Sequence, residues 1–287
     1  MPHRPARPGL LILLLAALAG CAGGADAPDG SDLDEGAPPA GAAGAGGETA
    51  GAFDDPELAR LYGEMMEAMA PDEGRERLRY LQFAFVVDRG GGQVTRRHHR
   101  WDVWDGRYRL EAPVGEERMV ALFDVDDPTG TDEIWLDGEP VADPARADSL
   151  ARRAHAIFIN DSYWLLMPYK WDDPGVEAHL LGERELDGEP YQVVELTFEG
   201  VGLTPQNKYR GFVDPETGFL AYWQHYREAS DEEPRFTMAW TDWERHGPLH
   251  LARSRVDLAG ELALSFEDLD ASTTVPEGVF HGPDGGP

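Results

Sequence analysis

The chain has 287 residues, with 54 acidic against 25 basic side chains, a formal charge of −29 and a single cysteine; its only lysines are Lys170 and Lys208. That balance excludes nucleic acid as a partner, because the phosphate backbone needs a basic face, and it sets the domain against an anionic membrane surface. One cysteine excludes an internal disulfide, and an acidic, lysine-poor surface also suits a protein that simply stays soluble in salt.

The first element is a leader. Arg4 and Arg7 precede an apolar run from Leu10 to Leu18, which closes on Leu18-Ala19-Gly20-Cys21. A basic start, an apolar core of about seven to fifteen residues and small residues before a cleavage point describe a secretory signal; the run is too short to stay as a membrane span. The position of the one cysteine makes the segment resemble a bacterial lipoprotein signal. That resemblance implies removal of residues 1–20 and acylation of Cys21 with palmitate-like chains as the new N-terminus. Each buried methylene contributes about 0.8 kcal/mol and two chains hold far better than one, so such an anchor is stable. Ala22 and Gly23, where an acidic residue would otherwise follow the cysteine, resemble the pattern of lipoproteins sent to the outer membrane. The expected location is therefore the cell envelope, at the outer membrane facing the periplasm.

Residues 21–53 form the lipidated cysteine and an acidic Ala/Gly/Pro tether, in which Leu33 is the only large apolar side chain between Ala22 and Ala52. Nothing there offsets the entropy of ordering, and such a spacer reaches roughly 30 Å. Residues 54–281 are expected to fold as a single domain, most simply a monomer, with 282–287 as a disordered tail.

The domain opens on a helix. Asp54-Asp55-Pro56-Glu57 supplies an acidic cap and a first-turn proline, Leu58, Leu61, Tyr62, Met65, Met66 and Met69 recur at helical spacing, and Pro71 ends the run. From Arg77 the period becomes two, as in Leu81, Phe83, Phe85 and Val87. Trp104-Asp105-Gly106-Arg107 reads as a two-residue hairpin turn. It sets Asp102 opposite Arg109 and Arg100 opposite Glu111 on a solvated face, with Val103 and Tyr108, Trp101 and Leu110 on an apolar one. The cluster Arg96, Arg97, His98, His99, Arg100 then belongs to an ion-paired sheet surface rather than an anion site.

Leu136-Asp137-Gly138-Glu139 and Leu186-Asp187-Gly188-Glu189 repeat the hairpin signal. Asp214-Pro215-Glu216-Thr217-Gly218 reads as a type I turn with a glycine bulge, pairing Val213 with Phe219, Gly211 with Ala221 and Tyr209 with Trp223. Further strands are expected at 119–125, 133–136, 176–181, 191–198, 236–243, 253–258 and 261–266. The total is about ten or eleven, in a meandering antiparallel sheet. A second helix, roughly Pro144 to Phe158, runs into the most aromatic stretch of the chain, Asn160 to Gly175. That stretch reads either as a segment pinning the helix to the sheet or as the rim of an apolar pocket.

Taken with the strand series, His99 to Glu111, Glu133 to Gly138, Tyr163 to Gly175, Gly202 to Arg210 and Val213 to Gly218 give the chain a recognisable pattern. It resembles the LolA and LolB lipoprotein carriers and an uncharacterised group of related bacterial envelope lipoproteins. The resemblance implies a mainly β, α+β fold: a curved antiparallel half-barrel, helices covering its open side, an apolar cavity for acyl chains and no catalytic residue. The anchor is more similar to LolB's, although a protruding apolar loop like LolB's is not identified. The residues expected to line the cavity are Trp101, Trp164, Met167, Tyr209, Gly211, Phe219, Ala221 and Trp223. The small Gly211–Ala221 pair would leave room for a chain.

Enzyme chemistry finds no support. No Gly-x-Ser-x-Gly, phosphate-cradling glycine loop or His-Glu-x-x-His is present, and Cys21 is spent on acylation. Asp124, Asp126 and Asp127 lack the glycine and terminal glutamate of a calcium loop, and the neighbours Glu195 and Glu199, or Asp242 and Glu244, are ordinary in so acidic a chain. No metal or cofactor is expected. Two readings stand: a carrier or sensor that binds a lipid, acyl chain or lipoprotein, and a structural lipoprotein with a filled core that meets an envelope protein partner.

Overall fold

A computed structural model describes residues 53–88, 94–127, 133–260 and 263–285. The leader, Cys21 and the tether to residue 52 lie outside the described residues.

Alternating apolar residues build one continuous antiparallel sheet. The chain enters it in the middle. β1 (Tyr80–Asp88), β2 (Val94–Asp102), β3 (Arg107–Val114), β4 (Glu117–Asp124), β5 (Glu133–Leu136) and β6 (Glu139–Pro140) step outward to one edge. Helix α3 (Pro144–Leu166) and a 3-10 turn (Met167–Tyr169) carry the chain across to the other edge. From there β7 (Val176–Leu186), β8 (Glu189–Phe198), β9 (Lys208–Val213), β10 (Leu220–Tyr226), β11 (Phe236–His246), β12 (Leu249–Asp257) and β13 (Ala263–Ser272) step back until β13 pairs with β1. Among the described residues the sheet has 13 strands in the order 6-5-4-3-2-1-13-12-11-10-9-8-7, and its edge strands β6 and β7 do not pair. It is an open half-barrel, with two more strands than the upper expectation because β6 is a two-residue edge and the β7–β13 return runs without a gap.

The helices cover the inner face. Helix α1 (Pro56–Met69) starts where expected: the Asp55 carboxylate accepts from the Glu57 and Leu58 amides, at 2.8 and 3.4 Å, and Pro56 stands in the first turn. It buries Leu58, Leu61, Tyr62, Met65 and Met69. A one-turn helix, α2 (Gly74–Arg77), follows, and its Arg75 holds Asp172 through two bonds of 3.0 and 3.1 Å, fixing α1 and the segment after α3 together. Helix α3 runs eight residues beyond the expected end at Phe158, to Leu166, and so takes Tyr163 and Trp164 into its last turn. Its Leu150, Ala154, Ile157 and Phe158 join Leu81, Phe83, Phe85, Val87, Trp101, Tyr108 and Leu110 in one core.

The Asp-Gly turns behave in two ways. Asp137-Gly138 and Asp187-Gly188 adopt positive φ at both residues, and Leu136 pairs with Glu139 and Leu186 with Glu189, as the signal predicts. At Asp105-Gly106 only the glycine has positive φ, at 71°, and the β2–β3 register is two residues tighter: Trp101 faces Tyr108, and Arg100 faces Arg109. The Asp102 side chain is the reason. Buried, it takes the Asp105 amide at 3.4 Å and pairs with Arg107 and Arg79, while the Val103 amide turns away to bond the Arg79 carbonyl at 2.8 Å. The strands therefore part before the turn.

The inward faces keep their parity, but on the supposed solvated face two residues are buried, while Arg96 and His98 stay half-buried and Arg107 exposed. Asp102 and Arg109 are 0% and 1% exposed and are not partners. Arg109 donates instead to Glu111 and to the carbonyls of Gly282 and Pro283, residues assigned to a tail by sequence.

The β9–β10 register also differs. Asp214 closes on Phe219, Val213 faces Leu220, and a bulge at Ala221 sets Trp223, not Ala221, opposite Gly211. Tyr209 accordingly faces His225. Leu220 replaces Phe219 in the core because the five-residue turn ends one position later than read.

Candidate functional site

The interior beneath α3 has two ends of different chemistry. At one end the inward parity of Trp101 continues along β2, so His99 and Arg97 also point under the helix. Arg97 grips Asp161 of α3 with Nε and Nη2, each 2.7 Å from a carboxylate oxygen. His99 Nε2 lies 2.9 Å from Asp161 Oδ2, off hydrogen-bond alignment, and its Nδ1 meets the Tyr108 hydroxyl at 2.8 Å. Asn160 adds a 2.8 Å bond to Asp161 Oδ1. Burial alone would raise the Asp161 carboxyl, but the Arg97 charge and the contacts from His99 and Asn160 hold it below its ordinary value. Burial also pushes His99 down against the pull of Asp161, so the ring is neutral at pH 7. Arg97 and His99, read from sequence as sheet surface, are in fact the hold of the sheet on α3.

The other end is aromatic. The rings of Trp164 and Trp223 meet edge to face at 4.6 Å, and Trp223 and Tyr209 lie 4.7 Å apart. The Trp171 indole donates to Met167 Sδ at 3.1 Å and lies over Gly211, where an added Cβ would come within 2.7 Å of Trp171 Cζ2. Trp164, Met167, Tyr209, Gly211 and Trp223 are thus brought together, with Trp171 in the space that Gly211 and Ala221 were expected to leave. Trp101 belongs to the other end, packed against Phe158 and Tyr108 at 5.4 and 6.1 Å. Phe219 stacks on Trp243 at 5.0 Å and Ala221 sits half-buried in its bulge, both outside the cluster. Behind Tyr209, Asn207 bridges to Thr204, to the Tyr209 hydroxyl and to His225 Nε2 at 2.8, 3.3 and 3.1 Å. Burial pushes His225 down to about 4.

Between the two ends stands Arg255, fully buried on β12. It faces Trp240 across β11 and Leu264 across β13, and its guanidinium carbon lies 3.4 Å from the centre of the Trp240 ring. Among the described residues its bonds go only to carbonyls: Ala252 at 3.0 Å, Ser254 at 3.1 Å, and Trp164 in the last turn of α3 at 3.0 Å. Its parity matches that of the buried Leu249 and Leu251, and the exposed Arg253 interrupts the alternation between them and Arg255. Asp242, with a positive φ of 57°, lies across from Arg253 at the one pair missing from an otherwise constant β11–β12 register.

No family model matches the sequence, and no curated protein matches it either. Among solved structures, the chain is similar to a DUF1329 family protein from Desulfovibrio piger, at 12% identity and a TM-score of 0.42 over 77% of this chain and 95% of that one. It is also similar to a LolA superfamily protein from Nitrosomonas europaea, at 14% identity and a TM-score of 0.43 over 77% of this chain and 96% of that one. At those values the likeness is one of fold and says nothing of ligand or activity.

Proposed function

We propose that this chain is a non-catalytic envelope lipoprotein, anchored through Cys21, whose half-barrel binds the acyl chain of a lipid or of another lipoprotein. The observation that carries the reading is a set of interior donors. The indole nitrogens of Trp101, Trp223 and Trp240 are buried and have no acceptor among the described residues. Buried polar groups are almost always satisfied, and leaving one unmade costs about 1–3 kcal/mol. An acyl ester offers what this interior lacks, since its methylenes match the apolar walls and its carbonyls accept from indoles. Native mass spectrometry of the protein, released without detergent and followed by solvent extraction, tests this directly. Co-purifying acyl lipid is the expected result. A bare polypeptide that also leaves a polyene fatty-acid probe non-fluorescent overturns it.

The competing reading, a scaffold with a filled core, draws on Trp171, which occupies the space above Gly211. It predicts the bare polypeptide. The anchor is tested separately: Cys21→Ser should abolish labelling by radioactive palmitate and release the protein from the membrane fraction, and membrane retention without label would contradict it.

A further inference from the structure

Arg255 is a buried charge without a counter-charge. Its side chain is 0% exposed, no carboxylate lies within ion-pair distance of it among the described residues, and its Nε hydrogen has no acceptor. Buried guanidinium groups are ordinarily paired, because desolvation is expensive and carbonyl dipoles return only part of it. The Trp164 carbonyl at the negative end of α3 gives some of that return, as does the Trp240 ring. Burial still pushes the guanidinium well below its ordinary value, with no opposing cause.

The surroundings matter as much as the charge. Trp240, the cross-strand partner of Arg255, has an indole N–H with no acceptor, and so has Trp223, whose ring packs against Trp164. Three donors without acceptors are therefore joined by a chain of contacts: Trp240 lies against Arg255, Arg255 bonds the Trp164 carbonyl, and Trp164 packs on Trp223. Donors alone, one of them cationic, describe a seat for anionic oxygen. The aromatic and aliphatic walls beside them, Phe266 at 5.0 Å from the guanidinium and Leu264 opposite it, describe a place for hydrocarbon.

We propose that Arg255, with the indole N–H groups of Trp240 and Trp223, holds the anionic head of an acyl ligand inside the half-barrel, the head being a carboxylate or a phosphate. The inference rests on the acyl-binding reading above and narrows it: the ligand is an acidic amphiphile, and its head, rather than only its tail, enters the interior beneath the last turn of α3.

Terminally brominated dodecanoate, dodecyl phosphate and dodecanol, which share a chain and whose bromine quenches buried tryptophans, provide the test on the intact protein. At least one anion should bind about ten-fold more tightly than the alcohol. The tighter of the two names the source, a free acid or a phospholipid-type phosphate. Arg255→Met should keep alcohol binding within about two-fold and abolish the preference for the anion. Because that variant also loses the bond to α3, Trp240→Phe serves beside it, keeping the ring under the guanidinium and removing only the N–H; it should weaken the anion alone, by about three-fold. Equal binding of acid, phosphate and alcohol by the parent overturns the inference while leaving acyl binding intact, as does an Arg255→Met protein that keeps the anion preference. Failure of all three probes to bind overturns the acyl reading itself.

Discussion

Helix α3 is held over the sheet by two inward arginines that differ in what answers their charge. Arg97 meets Asp161 through two 2.7 Å bonds, Asn160 adds a third, and His99 Nε2 stands 2.9 Å away, off alignment. Arg255 meets only carbonyls and a ring. The first arrangement is closed: each charge has its opposite, and nothing further is needed to keep it in place. The second leaves a positive charge and neighbouring donors without a counter-charge among the described residues. One helix thus carries a structural fastening at Asp161 and, about one turn further on at Trp164, a binding chemistry.

The largest expected effect comes from breaking the closed end. Asp161→Ala strands Arg97 and His99 under the helix and should cost about 3–5 kcal/mol in urea unfolding. Arg255→Met removes an unpaired charge and keeps most of the volume, so its loss should stay within about 1–2 kcal/mol despite the broken carbonyl bonds. Equal losses for the two variants would mean that Arg255 is a fastening like Arg97, and the contrast would fail.

Arg109 belongs with Arg97 on the paired side, and its partner makes that testable by pH. Glu111 accepts from Arg109 at 2.8 Å and from Arg100 at 2.7 Å, and Arg118 also donates to it. Burial would raise this carboxyl, but the hydrogen bonds and charges of these arginines bring it from 4.5 down to about 2. A carboxylate lowered on folding contributes its stability fully above its ordinary value and loses it as pH falls through the folded one. Glu111→Gln should therefore cost about 2 kcal/mol at pH 7, after allowance for solvent near its outer oxygen. The parent's advantage over the variant should decay between about pH 4.5 and pH 2. A difference that is flat with pH would place the effect in packing rather than charge.

At the aromatic end the strongest constraint is the contact between Trp171 and Gly211. An alanine Cβ there would stand 2.7 Å from Trp171 and 3.1 Å from Leu220, both buried. Gly211→Ala should destabilise by about 1–2 kcal/mol. A neutral or stabilising change, read by thermal unfolding, would mean that Trp171 yields readily and that the interior beside it is looser than the Arg97 end.

Much of the scaffold could be read from residues alone. Leu81, Phe83, Phe85 and Val87 announce β1 by alternation, Asp55 and Pro56 announce α1, and the meander with a covering helix follows from the turn spacing. The interior was less legible, for two physical reasons. Alternation fails at irregular positions: the bulge at Ala221 moves a run of side chains to another face, and the pair missing at Asp242 and Arg253 interrupts a buried series. Partners distant in the chain also decide what a polar residue does: Arg97 looks like surface until Asp161, 64 residues on, is placed above it. The parity of Trp101 was a usable sign for Arg97 and His99; for Arg255 the parity of Leu249 and Leu251 was a weaker one, interrupted by the exposed Arg253.

The smallest predicted difference isolates one such failure. Asp187-Gly188 and Asp105-Gly106 are the same dipeptide between strands, yet Asp187 has a φ of 54° and Asp105 is not in the left-handed region. Aspartate tolerates positive φ far better than alanine, which pays roughly 1 kcal/mol there. Asp187→Ala should therefore cost about 1 kcal/mol, whereas Asp105→Ala loses only exposed ion pairs with Arg79 and Arg107 and should cost a few tenths, about 0.5 kcal/mol at most. Equal costs in parallel thermal melts would imply that Asp105 shares the two-residue turn after all. In that case Trp101 would face Leu110 and Arg100 would face Glu111, with the inward faces unchanged.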